Sequence, residues 1–345
     1  MPADDLWTGA PPTIRGPAEL IECVPYLLGF TPHDSLVVVG LCDRGAQVVV
    51  TARIDWPDLA DPGGRRRLVA ALRNVGTESV ILVAYTTSAS GATTPGVLVR
   101  RHLRTMRKAL RGKGFEVPVA LAVDGARWQA LGELESSWPR SGELTAAGPS
   151  VAATELVAQG ANALPDREAL ADTLAPLPEG DRLRPIGPLD PAAADAPPAM
   201  PELSPAERGD HLRLWQLLVQ SMVGGEWEVP AATAATVVRA LRDLALRDAA
   251  CSYAALPEAA AAETLARHLA RRAPDRFAAP AYAVTAWLTW QRGAGVAAGI
   301  AAEHAVRDEP GYGLAGLILT ALEHGLPPEK LDLADYDVWG EAEAS

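Results

Sequence analysis

The sequence predicts an α/β domain followed by an all-α domain. Three observations predict this. Four apolar runs of strand length, Ser35–Leu41, Gln47–Ile54, Ser79–Tyr85 and Val117–Val123, fall in the first 125 residues. The stretches between the last three carry apolar residues at spacings of three and four, the period of a helix face. Beyond the segment Pro176–Pro205, which holds nine of the chain's 29 prolines, the pattern is helical only.

Pro17 suits a first helical position and Glu19 the positive end of a helix, so a helix starts there. Pro25 removes an internal hydrogen bond and is expected to kink or restart it, and Gly29 to close it. The runs from residues 35 and 47 flank Asp43-Arg44-Gly45, a sequence suited to a tight reversal, and form a hairpin. Asp61-Pro62-Gly63-Gly64 opens the next helix, whose face is Leu68, Ala71, Leu72 and Val75. After the strand from residue 79, a small-residue loop (Thr86–Gly96) leads to a helix over 97–111 striped by Val99, Leu103, Met106 and Leu110. Pro118 places the fourth strand at an edge, or delays its pairing. A hairpin followed by β-α-β-α-β crossovers gives a mixed sheet. The strands from 47, 79 and 117 run the same way and the strand from 35 is reversed. Helices are expected at 151–159 and 166–174. Ser204-Pro205-Ala206-Glu207 is a capping box, followed by helices near 230–247, 258–272, 280–292, 294–307 and 311–324. Pro280–Pro310 has the length of a helix-pair repeat and loosely matches a tetratricopeptide-like unit. The resulting plan is a disordered leader (1–13), the α/β domain (14–175), a proline-rich linker or strap (176–203), a tetratricopeptide-like helical domain (204–324) and an acidic tail (325–345).

The 345 residues are 48% apolar and 21% charged, enough for two domains. A net charge of −12 disfavours general binding to nucleic acid or to anionic membrane. Three scattered cysteines, Cys23, Cys42 and Cys251, suggest neither a disulfide framework nor a zinc site and fit a reducing cytoplasm. The first residues carry acids and prolines where a signal peptide needs a basic start and an apolar run. No apolar span long enough for a membrane helix is found.

The segment IRGPAELIECVPYLLGFTPHDSLVVVGL resembles the opening of the domain of unknown function 4192, an uncharacterised bacterial family. The resemblance continues through TARID (51–55), LVAY (82–85), VDGARW (123–128) and PAYAVTAWLTWQRGAGVAAGIAAEHAVRDEPGYGLAGLI (280–318). Many members carry a cysteine-bearing insert after the Arg-Trp pair. Here ALGELESSWPRSGEL (130–144) has no cysteine, so no metal or thiol role transfers from it. The family supplies no activity.

A reversed first strand brings its start to the edge where the other strands end. That edge gathers His33, Asp34, Ser35, Arg53, Asp55, Tyr85, Thr86, Asp124, Arg127 and Trp128. Open α/β sheets bind ligands outside the carboxyl ends of their strands. These residues suit an anionic or hydroxylated small molecule, with Arg53 and Arg127 as charge partners and Asp34 and Asp124 as acceptors. The competing structural reading is that Asp34 and Ser35 cap the corner and Arg53 pairs with a neighbouring Asp. His33-Asp34-Ser35 is not a hydrolase triad, since adjacent residues cannot assemble one and no G-x-S-x-G elbow is present. The loop from Thr86 could cradle phosphate or could be a capped turn; it lacks the lysine and spacing of a P-loop. Arg100, Arg104, Arg107 and Arg111 recur at helical spacing as a basic patch, which could hold nucleic acid, a phosphorylated ligand or the acidic tail and is by default a solvated face. The six histidines show no metal-ligand spacing. Trp287 and Trp290 read as core or as a partner groove. The expectation is a cytoplasmic, non-enzymatic binding or regulatory protein whose helical domain takes a protein partner, with no cofactor, metal or membrane; nucleic-acid contact, through the arginine helix, ranks third among the readings. The alternative is an enzyme or sensor for a nucleotide or phosphorylated metabolite at the sheet edge.

Overall fold

Gly16 leads into α1 (Pro17–Leu28), and Gly29, at φ 83°, ends it in the left-handed conformation that glycine adopts without strain. The computed structural model describes residues 14–42, 47–86, 96–132, 138–144, 149–184, 201–225 and 228–330. The leader, the reversal at Asp43–Gly45, the loop over 87–95, the proline-rich residues 185–200 and the tail beyond 330 lie outside these. Of the kink or restart expected at Pro25 there is no restart: α1 runs unbroken through it. Pro25 lies in the last turn, so it removes only the bond to the carbonyl of Ile21.

Strands β1 (Ser35–Cys42) and β2 (Gln47–Asp55) form the expected hairpin, with Ser35 opposite Asp55. A short helix not foreseen from the sequence, α2 (Trp56–Ala60), precedes α3 (Pro62–Asn74). The Asp61 side chain caps α3 by accepting from the Gly64 amide at 2.8 Å. Then come β3 (Ser79–Thr86), α4 (Val97–Arg111) and β4 (Ala120–Asp124). Two further strands, β5 (Arg127–Ala130) and β6 (Ser141–Glu143), were also not foreseen. Sheet order is β2-β1-β3-β4-β5-β6. β1 is antiparallel to both β2 and β3, and β3 and β4 are parallel. The strands from 47, 79 and 117 thus point one way and β1 the other, as the sequence predicted. β4 pairs on both sides, and its pairing with β3 begins at Ala120, past Pro118.

Side chains alternate across the pleat. Leu36, Val38, Leu82, Ala84 and Ala120 meet Leu68 and Leu72 of α3 and Leu103, Met106 and Leu110 of α4 in one core. On the other face, α1 packs against α5 (Val151–Ala158), with Cys23 among Ala152, Ala153 and Leu156. A short α6 (Arg167–Asp172) follows.

Contacts divide the chain into two units, 1–170 with 323–326, and 171–322 with 327–345. In the second, residues 174–183 lie as a strap on helices. Tyr282 donates its hydroxyl to the Leu174 carbonyl at 2.7 Å, and the Leu177 and Leu183 amides donate to Arg271 and Arg272 carbonyls. The helices are α7 (Pro205–Val223), α8 (Ala231–Ala240), α9 (Leu244–Ser252), α10 (Ala259–Arg272), α11 (Ala279–Gln291), α12 (Gly295–Asp308) and α13 (Gly313–Glu323). The capping box of Ser204 and Glu207 opens α7. The single helix expected over 230–247 is two, because Asp243 caps a new start by accepting from the Ala245 and Leu246 amides. α11 is buried from Ala279 to Trp290, and Trp287 meets Trp290 edge-on inside the core.

Candidate functional site

The register of the sheet fixes which residues share its rim. Ser35 stands opposite Asp55 on one side and Tyr85 on the other. Tyr85 stands beside Val123, Thr86 beside Asp124, and Asp124 opposite Arg127. Asp34, Ser35, Asp55, Tyr85, Asp124 and Arg127 therefore gather at one end of the sheet, as read from the sequence. Asp34 enters this corner at φ 38°, a left-handed conformation uncommon outside glycine and tolerated best by Asp and Asn.

The rim residues divide into two sets. Arg53 faces Val37 two positions inward, and its guanidinium turns back toward the rim. It pairs with Asp55 at 2.6 Å, donates to Ser35 Oγ at 3.0 Å and reaches the His33 carbonyl at 3.4 Å. Arg127 pairs with Glu143 across β5 and β6 at 3.1 Å. Trp128 is buried, and its ring lies against Gly142, where a Cβ would approach it to 3.0 Å. These residues hold the corner and the outer strands together. Ser35 is tied to Arg53 and the His33 ring donates to the Pro165 carbonyl at 3.3 Å, so neither engages the other as a nucleophile and base would.

The second set opens onto a cavity of about 570 Å³ under α1. Its polar lining is Glu22, Thr31, His33, Tyr85, Thr86 and Asp124, and Ile21, Pro25 and Val123 supply apolar wall. Ligand pockets fall in this size range and combine apolar walls with a few placed polar groups. Tyr85 is 8% exposed, and its buried hydroxyl has no hydrogen-bond partner among the described residues. Burial pushes its pKa up, so it stays a neutral donor. Glu22 accepts from the Ser150 amide at 3.0 Å through one oxygen. Pro25 has no amide to offer the Ile21 carbonyl, which leaves a further acceptor without its helical donor beside the cavity. Among the described residues the charged groups of the lining are Glu22 and Asp124, with no lysine or arginine.

Glu22, Thr31 and the Ile21–Pro25 turn are functional candidates that the sequence reading missed. A carboxylate three residues before a proline, on a helix whose only other charge is Glu19, was their only signal. The thiols offer no chemistry here. Burial, with Glu19, Glu22 and Glu155 nearby, pushes the Cys23 thiol up to about 12, and burial pushes Cys251 up as well. Among the described residues no group of three His, Cys, Asp or Glu side chains is placed to hold a metal, and no helix is long and apolar enough to cross a membrane. The basic patch on α4 is half structural: Arg107 is half-buried against Gly132, Arg111 donates to the Val117 carbonyl, Arg100 is half-buried and Arg104 is exposed.

Comparison with known proteins gives one match. The model of the family described as Domain of unknown function (DUF4192) matches residues 17–329. No curated protein and no solved structure matches the chain.

Proposed function

The chain belongs to the domain of unknown function DUF4192 family, and on that premise we propose that it binds a small hydroxyl- or amine-bearing molecule at the sheet rim. The observation that carries this reading is the Tyr85 hydroxyl, buried without a partner among the described residues, in the wall of a cavity whose charged groups among those residues are two carboxylates. A buried polar group left unpaired costs roughly 1–3 kcal/mol, which a ligand's hydroxyl oxygen recovers by accepting from it, while a ligand ammonium pairs with the carboxylates. Glu22, Asp124 and the Ile21 carbonyl then accept the ligand's own donors. The arginines that pointed to an anionic ligand are engaged by Asp55 and Glu143, and two carboxylates repel a phosphate. The test is a thermal-shift series of polyols, amino sugars and polyamines against nucleotides and phosphorylated sugars. At about 100 times Kd a matching ligand raises Tm by roughly 5 °C, and Tyr85→Phe or Asp124→Asn removes that rise. Shifts from anions alone, or shifts untouched by both variants, count against the reading.

A second reading gives the helical unit a protein partner through tetratricopeptide-like pairing. It is favoured by the packing of α10 on α11 and α11 on α12 in chain order, the neighbour-on-neighbour arrangement of repeat proteins. Affinity capture with and without residues 204–324 tests it, and the absence of any partner dependent on those residues would speak against it.

A further inference from the structure

We propose that the outer face of the N-terminal unit, formed by α3 and α4, docks on the phosphate backbone of a nucleic-acid duplex. Residues 62–115 hold eleven of the chain's 31 Lys and Arg and a single acid, Glu78, a local charge of +10 within a chain at −12. The fold lays both basic helices on one side of the sheet. Their apolar stripes share one core, and Arg73 of α3 donates to the Lys113 carbonyl just past α4 at 3.1 Å. Three of the eleven cations are half-buried: Arg65, which donates to the Leu59 and Ala60 carbonyls, Arg107, which covers Gly132, and Arg100; Arg73 and Arg111 are exposed, and each also donates to one backbone carbonyl. The other eight are exposed. α3 offers Arg66, Arg67 and Arg73. α4 offers Arg101, Arg104, Lys108 and Arg111, with Lys113 following. None of these eight forms an ion pair with a carboxylate among the described residues. Asp61 accepts from the Gly64 amide, and Arg67 and Arg66 are close enough to help hold its carboxyl below the usual range without forming an ion pair.

The chemistry of the face selects among polyanions. Six of the eight are arginines, whose planar fork matches phosphate oxygens. Leu68, Val69, Leu72, Leu103, Met106 and Leu110 are all buried, so the face has no apolar stripe with which an amphipathic helix enters a membrane. The aromatic rings nearby, Trp56 and His102, stack on each other and are half-buried, so they form no platform for unstacked bases of a single strand. What remains is a double row of six guanidinium and two ammonium groups carried on two helices that share a core. Arg101 to Arg111 spans about 15 Å at helical rise, over which a duplex presents on the order of nine phosphates.

The experiment is fluorescence anisotropy of the full chain with a labelled mixed-sequence duplex of roughly 30 base pairs, in salt from about 50 to about 200 mM. With about five phosphate contacts, affinity falls on the order of several hundredfold over that range. Arg66→Glu with Arg104→Glu lowers low-salt affinity at least about tenfold, whereas Arg167→Glu with Arg239→Glu, equal in charge and exposed elsewhere, stays within about threefold. Arg104→Gln with Lys108→Gln gives the same direction of change without charge reversal, which covers the case in which the first variant misfolds. The proposal is overturned by no binding at low salt, by equal loss in the matched control, or by tighter binding to a single strand or to anionic vesicles than to the duplex.

Discussion

At the level of single residues, Tyr85 separates stability from binding. Its hydroxyl sits in a wall with no partner among the described residues, so Tyr85→Phe removes an unsatisfied group and fills the same space. The expected outcome is unchanged or higher stability, by up to about 1 kcal/mol in a urea melt, together with loss of the ligand-induced shift. A clear loss of stability would mean the hydroxyl is already satisfied. Gly64 gives a second prediction of opposite sense. A Cβ there would lie 2.2 Å from the Asp58 carbonyl oxygen, where α2 meets α3. Gly64→Ala is therefore expected to destabilise by roughly 1–3 kcal/mol, read from the urea midpoint. The polar rim residues were legible in the sequence because β-strand register is set by apolar runs with clear ends. Glu22 was not, because a carboxylate on a helix gives no sign of which side of it a sheet will cover.

Among the elements, α4 follows its stripe: Leu103, Met106 and Leu110 are buried and Val99 packs against the same core. Leu103→Ala is expected to cost about 2–5 kcal/mol, measured by chemical denaturation. The short strands escaped the sequence because RWQA and SGE have no apolar run; β5 is held by pairing to β4 and by the buried Trp128. The break between α8 and α9 depends on one cap at Asp243, which an unbroken alanine-rich period conceals. The helical unit also carries a pH response. His268 on α10 accepts from Arg272 at 3.1 Å, and His304 on α12 stacks on Tyr282 and accepts from Arg307 at 3.2 Å. Burial, with the adjacent arginines, lowers both pKa values below the ordinary 6.5. The unfolded chain thus binds more protons than the folded one below that value. The contribution is complete above pH 6.5 and is lost as pH falls through the folded pKa. The urea midpoint is expected to drop between about pH 7 and about pH 5, and to drop less in His268→Gln with His304→Gln. An equal drop in the variant would assign the response to other groups.

For the molecule as a whole, the sequence carried the order of the long strands and of the helices between them, and the direction of each of those strands, since each crossover leaves few choices. It carried the basic stripe of α4 but not its union with α3, because the arginines of the two helices are some thirty residues apart in the chain and become neighbours only when both helices cover the same side of the sheet. A total of −12 thus coexists with a face of the opposite sign.

Reversal of β1 has one more consequence. The corner from Gly29 to Asp34 supplies Thr31, Pro32 and His33 to the cavity, yet it is a connection between a helix and a strand and not part of the sheet's hydrogen-bonded ladder. A related chain could exchange these few residues and recognise a different molecule while leaving its framework untouched. Chemical diversity among kindred chains is therefore expected to concentrate in this corner, ahead of the valine-rich ribbons behind it.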